Sequence, residues 1–290
     1  MTRGHRDRYN TKVTTTLRPT TPEQRGPGGA RSRSYEVCVN SRPVGAVDLA
    51  TDHRFGPAAG RIVRLAIDER DRHRGRGTVA ALAAEEVLRG WGCTRIELSV
   101  DAGAAVGLGL AAALGYTERN RNMAKTLTAA PRLPEGSEGR RMTEAEYTGW
   151  REASRAAYMQ DWTDRGVPAE QARAKAEADD RTLLPDGAAT AGALLRVLIH
   201  EGTVVGTLWV ALRDGGPDTP GAYVFDVEVV PAQRGRGHGR SLMLLAEAEA
   251  LAHGARTLGL NVFAGNTPAL RLYESLGYVP TAYHLYKPLL

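Results

Sequence analysis

Two carboxylates, Asp226 and Glu228, interrupt an otherwise apolar run, AYVFDVEVV (222–230), and a turn dense in arginine and glycine, Arg234 to Ser241, follows at once. On a strand, side chains alternate with period two. Asp226, Glu228 and Val230 are therefore expected on one face and Phe225, Val227 and Val229 on the other. Two carboxylates on a buried strand are costly unless they face a wet cleft or a cation. A pair so placed can take up a proton or hold a cationic ligand, and structural ion pairing is the competing reading. The turn offers a different chemistry. Glycines at 235, 237 and 239 let bare backbone amides converge where a helix begins, and the helix dipole also favours negative charge there. The combination predicts an anion cradle, most naturally for a phosphate.

The elements that would position these groups are legible. Residues 222–230 are rich in β-branched and aromatic side chains, as a central strand should be, and Pro231, with no ladder donor, ends it. From Leu242 the apolar spacing becomes helical, with Leu244, Leu245, Ala248, Leu251 and Ala252 on one stripe and Gly254 as the stop. Asn266 and Thr267 before Pro268 signal a second helix start. Ala269, Leu272, Tyr273 and Leu276 then recur at helical spacing until Gly277.

The loop does not fit a dinucleotide fingerprint, whose third glycine would fall at Arg240, and it lacks the lysine of a nucleoside-triphosphate loop. It does fit R-x-x-G-x-G, from Arg234 to Gly239. About thirty residues later, N-x-x-A-x-x-L-Y-x-x-x-G-Y runs from Asn266 to Tyr278. Together, in this order around a helix and a strand, the two motifs resemble the signatures of the GNAT superfamily of acyl-CoA N-acyltransferases, over roughly residues 140–290. The resemblance implies acetyl-CoA as co-substrate, with no metal, and direct transfer to an amine in a ternary complex. It implies that backbone amides near Val229 polarise the thioester carbonyl and that Arg234, Gly235, Arg236, Gly237, His238, Gly239 and Arg240 hold the pyrophosphate. It further implies Asn266 on the pantetheine arm and Tyr273 as general acid to the departing sulfur. Within that chemistry the expected general base is Glu228, through a water, with Asp226 binding or orienting the amine.

Shifting the chain by 162 positions places Arg72–Gly77 on Arg234–Gly239 and Leu114–Tyr116 on Leu276–Tyr278 without a gap. Two copies of one unit explain this most economically. The copies part where chemistry would sit: Tyr273 aligns with Ala111, Asn266 with Ala104, Glu228 with Ala66, and Gly235 with His73. The first copy is thus expected to keep the fold without the chemistry, and it could still hold a CoA. The fold class expected is α/β (α+β), two tandem GNAT-like domains. Each has a mixed, mostly antiparallel sheet flanked by helices and splayed at the acyl-CoA cleft.

The expected organisation is a basic tail over 1–12, a degenerate first domain over 13–128, a linker over 129–141 and a catalytic domain over 142–290. Residues 13–19 read as a first strand, 193–200 and 204–212 as a hairpin, and 143–165 and 167–183 as helices. The resemblance implies that those helices roof the acceptor, which makes Tyr158, Asp161 and Trp162 candidates for substrate binding. Residues 1–33 carry eight basic side chains against two acidic ones, more than the chain's whole net charge of +5. The basicity therefore belongs to the tail, which argues against nucleic acid as a partner. No apolar run is long enough to span a membrane, and Cys38 and Cys93 stand in no metal or redox spacing, so a cytoplasmic enzyme is expected. The favoured acceptor is a small-molecule primary amine, the alternatives being a peptide or protein amine, or a CoA-binding sensor without turnover. The sequence leaves the oligomeric state open.

Overall fold

A computed structural model describes residues 14–52, 56–164, 169–214, 216 and 219–289. The basic tail of residues 1–12 and Pro168, read from sequence as a helix start, lie outside them. The first-repeat elements are β1 (Thr15–Pro19), β2 (Gln24–Arg25), β3 (Arg31–Val39), β4 (Arg42–Asp52), β5 (Gly56–Ile67), α1 (Arg76–Gly90), β6 (Arg95–Asp101), α2 (Ala105–Ala113) and β7 (Thr117–Thr126). Then come β8 (Ser137–Arg141), α3 (Glu144–Asp164), α4 (Ala169–Leu183), β9 (Ala193–His200), β10 (Thr203–Leu212), β11 (Ala222–Val229), α5 (His238–Ala252), β12 (Thr257–Phe263), α6 (Thr267–Ser275) and β13 (Val279–Pro288).

The chain packs into two units that interleave in sequence, whereas the sequence reading drew contiguous ones. One comprises residues 1–121 and 281–290, the other residues 122–280. In the first, antiparallel β1, β3, β4 and β5 are followed by β6, which runs parallel to β5, and the sheet is completed by the end of β13, antiparallel to β6 from Ala282 to Pro288. In the second, β8, β9, β10 and β11 are antiparallel and β12 runs parallel to β11. Beside β12 lie residues 122–126 of β7. Each unit is therefore a mixed, mostly antiparallel sheet with its own apolar core. Val37, Leu49, Leu88 and Ile96 centre the first core, and Leu198, Leu208, Leu242 and Leu258 the second. Each sheet takes its last strand from the other repeat.

A buried ion pair secures each borrowed strand, and the two pairs are related by the same 162-residue shift. In the first unit Lys287 Nζ donates to both oxygens of Glu85, at 3.0 and 2.7 Å, and the Tyr116 hydroxyl donates to Glu85 at 3.0 Å. In the second, Lys125 Nζ donates to both oxygens of Glu247 at 2.8 Å, with Lys125 over the Tyr278 ring. Removing one partner of a buried pair strands the other charge. Lys287→Ala is therefore expected to cost about 3 kcal/mol, the low end of the usual range because Lys287 keeps some solvent contact. Urea unfolding measures this, and Lys287→Met combined with Glu85→Gln should recover most of the loss.

Local features follow the sequence closely, with two departures. Glu201 (φ 49°) and Gly202 (φ 76°) both sit in the left-handed region, which makes the β9–β10 hairpin turn. Residues 137–141, placed in the linker by their polarity, instead form β8 at the sheet edge. The buried face of α5 is also rotated from the expected stripe: Leu242, Met243, Leu245, Ala246 and Ala250 are buried, while Leu244, Ala248 and Leu251 are only half-buried and Ala252 is exposed. The helix is apolar around most of its circumference, so spacing alone did not fix which side meets the sheet.

Candidate active site

The anion cradle forms as the glycines predict. β11 exits through a single 3-10 turn, Pro231–Gln233, and α5 begins at His238 with Gly235 (φ 77°) and Gly237 (φ 87°) in the left-handed region. Arg234 Nε donates to the Val229 carbonyl at 3.2 Å and ties the loop to the strand end. Arg236 donates to Gln233 at 3.1 Å, and Arg240 to the Ser275 hydroxyl at 2.6 Å. No side chain caps α5, and the amides of residues 235–239 meet no acceptor among the described residues. A Cβ on Gly235 or Gly237 would face open space. Five unused donors at the positive end of a 15-residue helix, ringed by three exposed arginines, fit a diphosphate. His238 enters the cradle through its amide only. Its ring is buried, 5.0 Å from that of His200, and burial first, then the nearby His200 and Arg236, push its pKa down.

Gly237→Ala tests the cradle. A left-handed alanine costs roughly 1–2 kcal/mol, and the strain falls on the loop conformation that binds the anion. The dissociation constant for CoA, read by calorimetry, should rise about tenfold, the equivalent of 1.4 kcal/mol.

Beside the cradle the sheet opens. β11 and β12 pair only from Ala222–Val224 to Leu258–Leu260, although both strands run on. Successive amides of a strand point to opposite edges. The Val230 amide donates to Val205, on the β10 side, so the Val229 amide points towards the opened edge. Asn266 caps α6: its side-chain oxygen accepts from the Ala269 amide at 3.3 Å, and its side-chain nitrogen has no partner among the described residues.

Tyr273, on α6, is 6% exposed and meets Tyr278 edge-on at 6.0 Å. Its hydroxyl has no hydrogen-bond partner among the described residues and is not fully enclosed. Burial first, and then the charge of Asp226, push its pKa up to about 12. Asp226 accepts a 2.8 Å hydrogen bond from the Trp150 indole of α3. Burial raises its pKa, the Glu228 charge adds to the rise, and the Trp150 bond opposes it.

The structure corrects the strict alternation expected along β11. Trp209 stands opposite Asp226 and Val210 opposite Val224, which leaves Phe225 as the extra residue of a β-bulge. Phe225 and Asp226 consequently line one cavity of about 210 Å³ instead of opposite faces. Trp209, stacked on Phe225 at 4.6 Å, is in its wall, and α3 contributes Arg151, Ser154, Arg155 and Tyr158. Glu228 is set apart: its side chain is 57% exposed and lies 3.7 Å from Arg234. Asp161 and Trp162 have their backbone in α3, but their side chains fall outside the described residues. Trp209, Phe225, Arg151 and Arg155 were not singled out from sequence. The bulge that turns Phe225 inward leaves no mark in residue type.

The first unit has the same frame with different contents. Arg72 Nε donates to Ile67 at 2.9 Å, matching Arg234 and Val229. His73 (φ 56°) takes the left-handed position of Gly235. β5 carries the equivalent bulge at Val63, and Arg64 stands where β11 has Asp226. Between β5 and β6 lies a cavity of about 290 Å³ whose lining includes Ala104 and Ala111, the counterparts of Asn266 and Tyr273. The Arg64–Asp226 reversal was available from the 162-residue shift.

Comparison with known proteins bears on the family and the fold. The model of the Acetyltransferase (GNAT) family matches residues 7–116 and 147–278. Mycothiol acetyltransferase of Beutenbergia cavernae is 26% identical over 268 residues, 87% of this chain and 82% of that protein. That of Thermobispora bispora is 42% identical over 81 residues, but this match spans only 27% of the chain and 28% of the relative's length. Among solved structures, a tandem GNAT protein from the clavulanic acid biosynthesis pathway superposes with a TM-score of 0.50 at 20% identity, covering 91% of this chain and 85% of that one.

Proposed function

Since this chain belongs to the GNAT acetyltransferase family, we propose that it is an acetyl-CoA-dependent N-acetyltransferase acting on a small-molecule primary amine. Transfer is direct, in a ternary complex, and the chemistry resides in the second repeat. One observation supports this reading: in the second unit the charge of Asp226 reaches Tyr273, whereas the aligned positions of the first unit hold Arg64 and Ala111.

Acetyl-CoA, when bound, supplies the acetyl group as a thioester. The amides of residues 235–239, with Arg234, Arg236 and Arg240, would hold the diphosphate, and the Asn266 side-chain amide would meet the pantetheine arm. The Val229 amide, turned towards the opened edge, would stabilise the charge that grows on the thioester oxygen. An ammonium acceptor must lose a proton before it attacks. The sequence reading makes Glu228 the base and gives Asp226 only the amine to bind or orient. Because Asp226 lines the cavity and binds protons more readily than an ordinary aspartate, whereas Glu228 is largely in solvent, we assign Asp226 both the ammonium and its proton. Glu228, exposed two residues on, passes the proton to solvent through water. Tyr273 keeps its proton at any working pH and donates a hydrogen bond to the departing sulfur.

The acceptor cavity, about 210 Å³ and walled by α3, α4, β10 and β11, supports a small molecule over a peptide. The buried free thiols Cys38 and Cys93 suit a reducing cytoplasm, and no described helix is long and apolar enough to cross a membrane. An acetyl-CoA-consumption screen over a panel of amines, with acetylated products identified by mass, tests the reading. Consumption with at least one amine is expected, and a chain that binds acetyl-CoA but acetylates none would refute it.

A further inference from the structure

The first unit keeps the frame of the second but not its filling. β5 and β6 pair only from Ala59–Arg61 to Arg95–Glu97 and then part, and the cavity of about 290 Å³ opens between them. Packed interiors leave few voids larger than a water molecule, and this one is near the size of a small-ligand pocket. The 162-residue shift shows how it arises. Tyr273, Asn266, Met243 and Ala269 of the second repeat become Ala111, Ala104, Ala81 and Gly107, all in the cavity lining. A phenol, a carboxamide and a thioether chain are lost from the helix side. The strand side gains only a methylene at each of Ile62 and Leu65, the counterparts of Val224 and Val227. Leu98, Val100, Leu110 and Leu114 make the rest of the wall apolar, and Val63, 55% exposed, stands at the rim. Most of the polar lining groups are engaged elsewhere: Tyr116 donates to Glu85 at 3.0 Å, Asp101 accepts from the Gly103 amide at 2.7 Å, and Arg64 lies 3.9 Å from Asp48.

The cavity adjoins an anion cradle. Gly77, in the first turn of α1, lies so close to Leu110 that a Cβ built on it would stand 3.6 Å from that side chain. The amides of residues 73–77 meet no acceptor among the described residues, no side chain caps α1, and Arg74 is exposed. Beneath the loop, Arg42 and Arg76 both bind the buried Asp71, which holds its shape from within. We propose that the first unit is a second binding site, for a CoA thioester whose acyl chain is of medium length. The cradle takes the diphosphate, and the chain fills the space that the phenol and carboxamide vacate. Apolar walls with few uncommitted hydrogen-bonding groups favour a saturated chain over a polar acyl group. This inference concerns a different site from the acetyl transfer in the second repeat and does not depend on which amine is acetylated there.

Calorimetry on the full chain with acetyl-CoA, octanoyl-CoA and free octanoate is the test. A buried methylene contributes roughly fourfold in affinity, so burying two or three of the six extra carbons makes octanoyl-CoA the tighter ligand by about tenfold or more. Free octanoate, which has no diphosphate for the cradle, should bind far more weakly than its thioester. Ala111→Tyr, which restores the phenol of the second repeat, should abolish the preference for octanoyl-CoA over acetyl-CoA. Val63→Trp, made at an exposed rim position where folding tolerates it, should narrow the same preference. Acetylation of amines should be unchanged in both variants. Equal affinity for the two thioesters, octanoate that binds as tightly as octanoyl-CoA, or a preference that survives in both variants would overturn the proposal. Those outcomes leave the N-acetyltransferase reading standing, because that reading is decided by amine acetylation in the same preparations.

Discussion

Tyr273→Phe is expected to lower kcat by roughly 10²–10⁴-fold, the range spanned by a positioned acid–base group, while CoA affinity stays within about twofold of the parent. The separation of the two readouts follows from what the hydroxyl touches. It bonds no described residue, and the ring alone makes the contact with Tyr278, so phenylalanine keeps the packing of α6. The magnitudes also indicate how the phenol acts. Complete transfer of its proton, at about 12, to a thiolate with an ordinary value near 8.5 is uphill by roughly 5 kcal/mol. A hydrogen bond held on the sulfur as its charge grows carries no such penalty. Part of the rise in Tyr273 comes from the Asp226 charge, and that part disappears once Asp226 has taken the ammonium's proton. The two residues are thereby coupled: the base, on being protonated, makes the acid stronger. Steady-state turnover with calorimetric CoA binding measures both quantities, and a fully active phenylalanine variant would remove Tyr273 from the mechanism.

Asp226→Asn is expected to be at least as damaging, with kcat/KM falling by roughly 10²–10⁴-fold, because asparagine can accept the Trp150 hydrogen bond but can neither hold an ammonium nor take its proton. The pH dependence supplies the sign. Asp226 must be ionised to act, and burial raises its folded pKa. Activity of the parent should therefore be full above that pKa and decline as pH falls through it, at a pH higher than an ordinary aspartate would give. In the asparagine variant this acidic limb should be missing from the residual rate. Free acceptor amine titrates too, but identically for parent and variant, so the difference between the two profiles isolates Asp226. Glu228→Gln should have a smaller effect, since that side chain is largely in solvent and 3.7 Å from Arg234.

What the sequence revealed, and what it hid, divides along physical lines. The left-handed glycines at 235 and 237, the Asn266 cap and the Glu201–Gly202 turn are local: each residue type is chosen by the backbone conformation at its own position, so the pattern announces the structure. The repeat was legible because two loops and two helix ends kept their spacing. The borrowed strands were not. Lys125 and Lys287 occupy equivalent positions, and each meets an equivalent glutamate and tyrosine, so identity of residue type cannot say which strand joins which sheet. The bulge at Phe225 was hidden for a related reason: strand periodicity presumes unbroken pairing, and the break depends on the partner strand. As a result the cavity's aromatic wall and its arginines were missed, and the two carboxylates of β11, adjacent in pattern, differ in setting. Asp226 lines the cavity and Glu228 faces solvent.

The account stands or falls on chemistry at one site per chain, between Asp226 and Tyr273. Its most direct test is a single-turnover reaction in which the chain, loaded with acetyl-CoA, is mixed with an acceptor amine and the appearance of free thiol is followed. One equivalent of thiol per chain, matched by acetylated amine and slowed at least a hundredfold in both Tyr273→Phe and Asp226→Asn, is the predicted result. Thiol release that persists at the parent rate in both variants would place the chemistry elsewhere and contradict it.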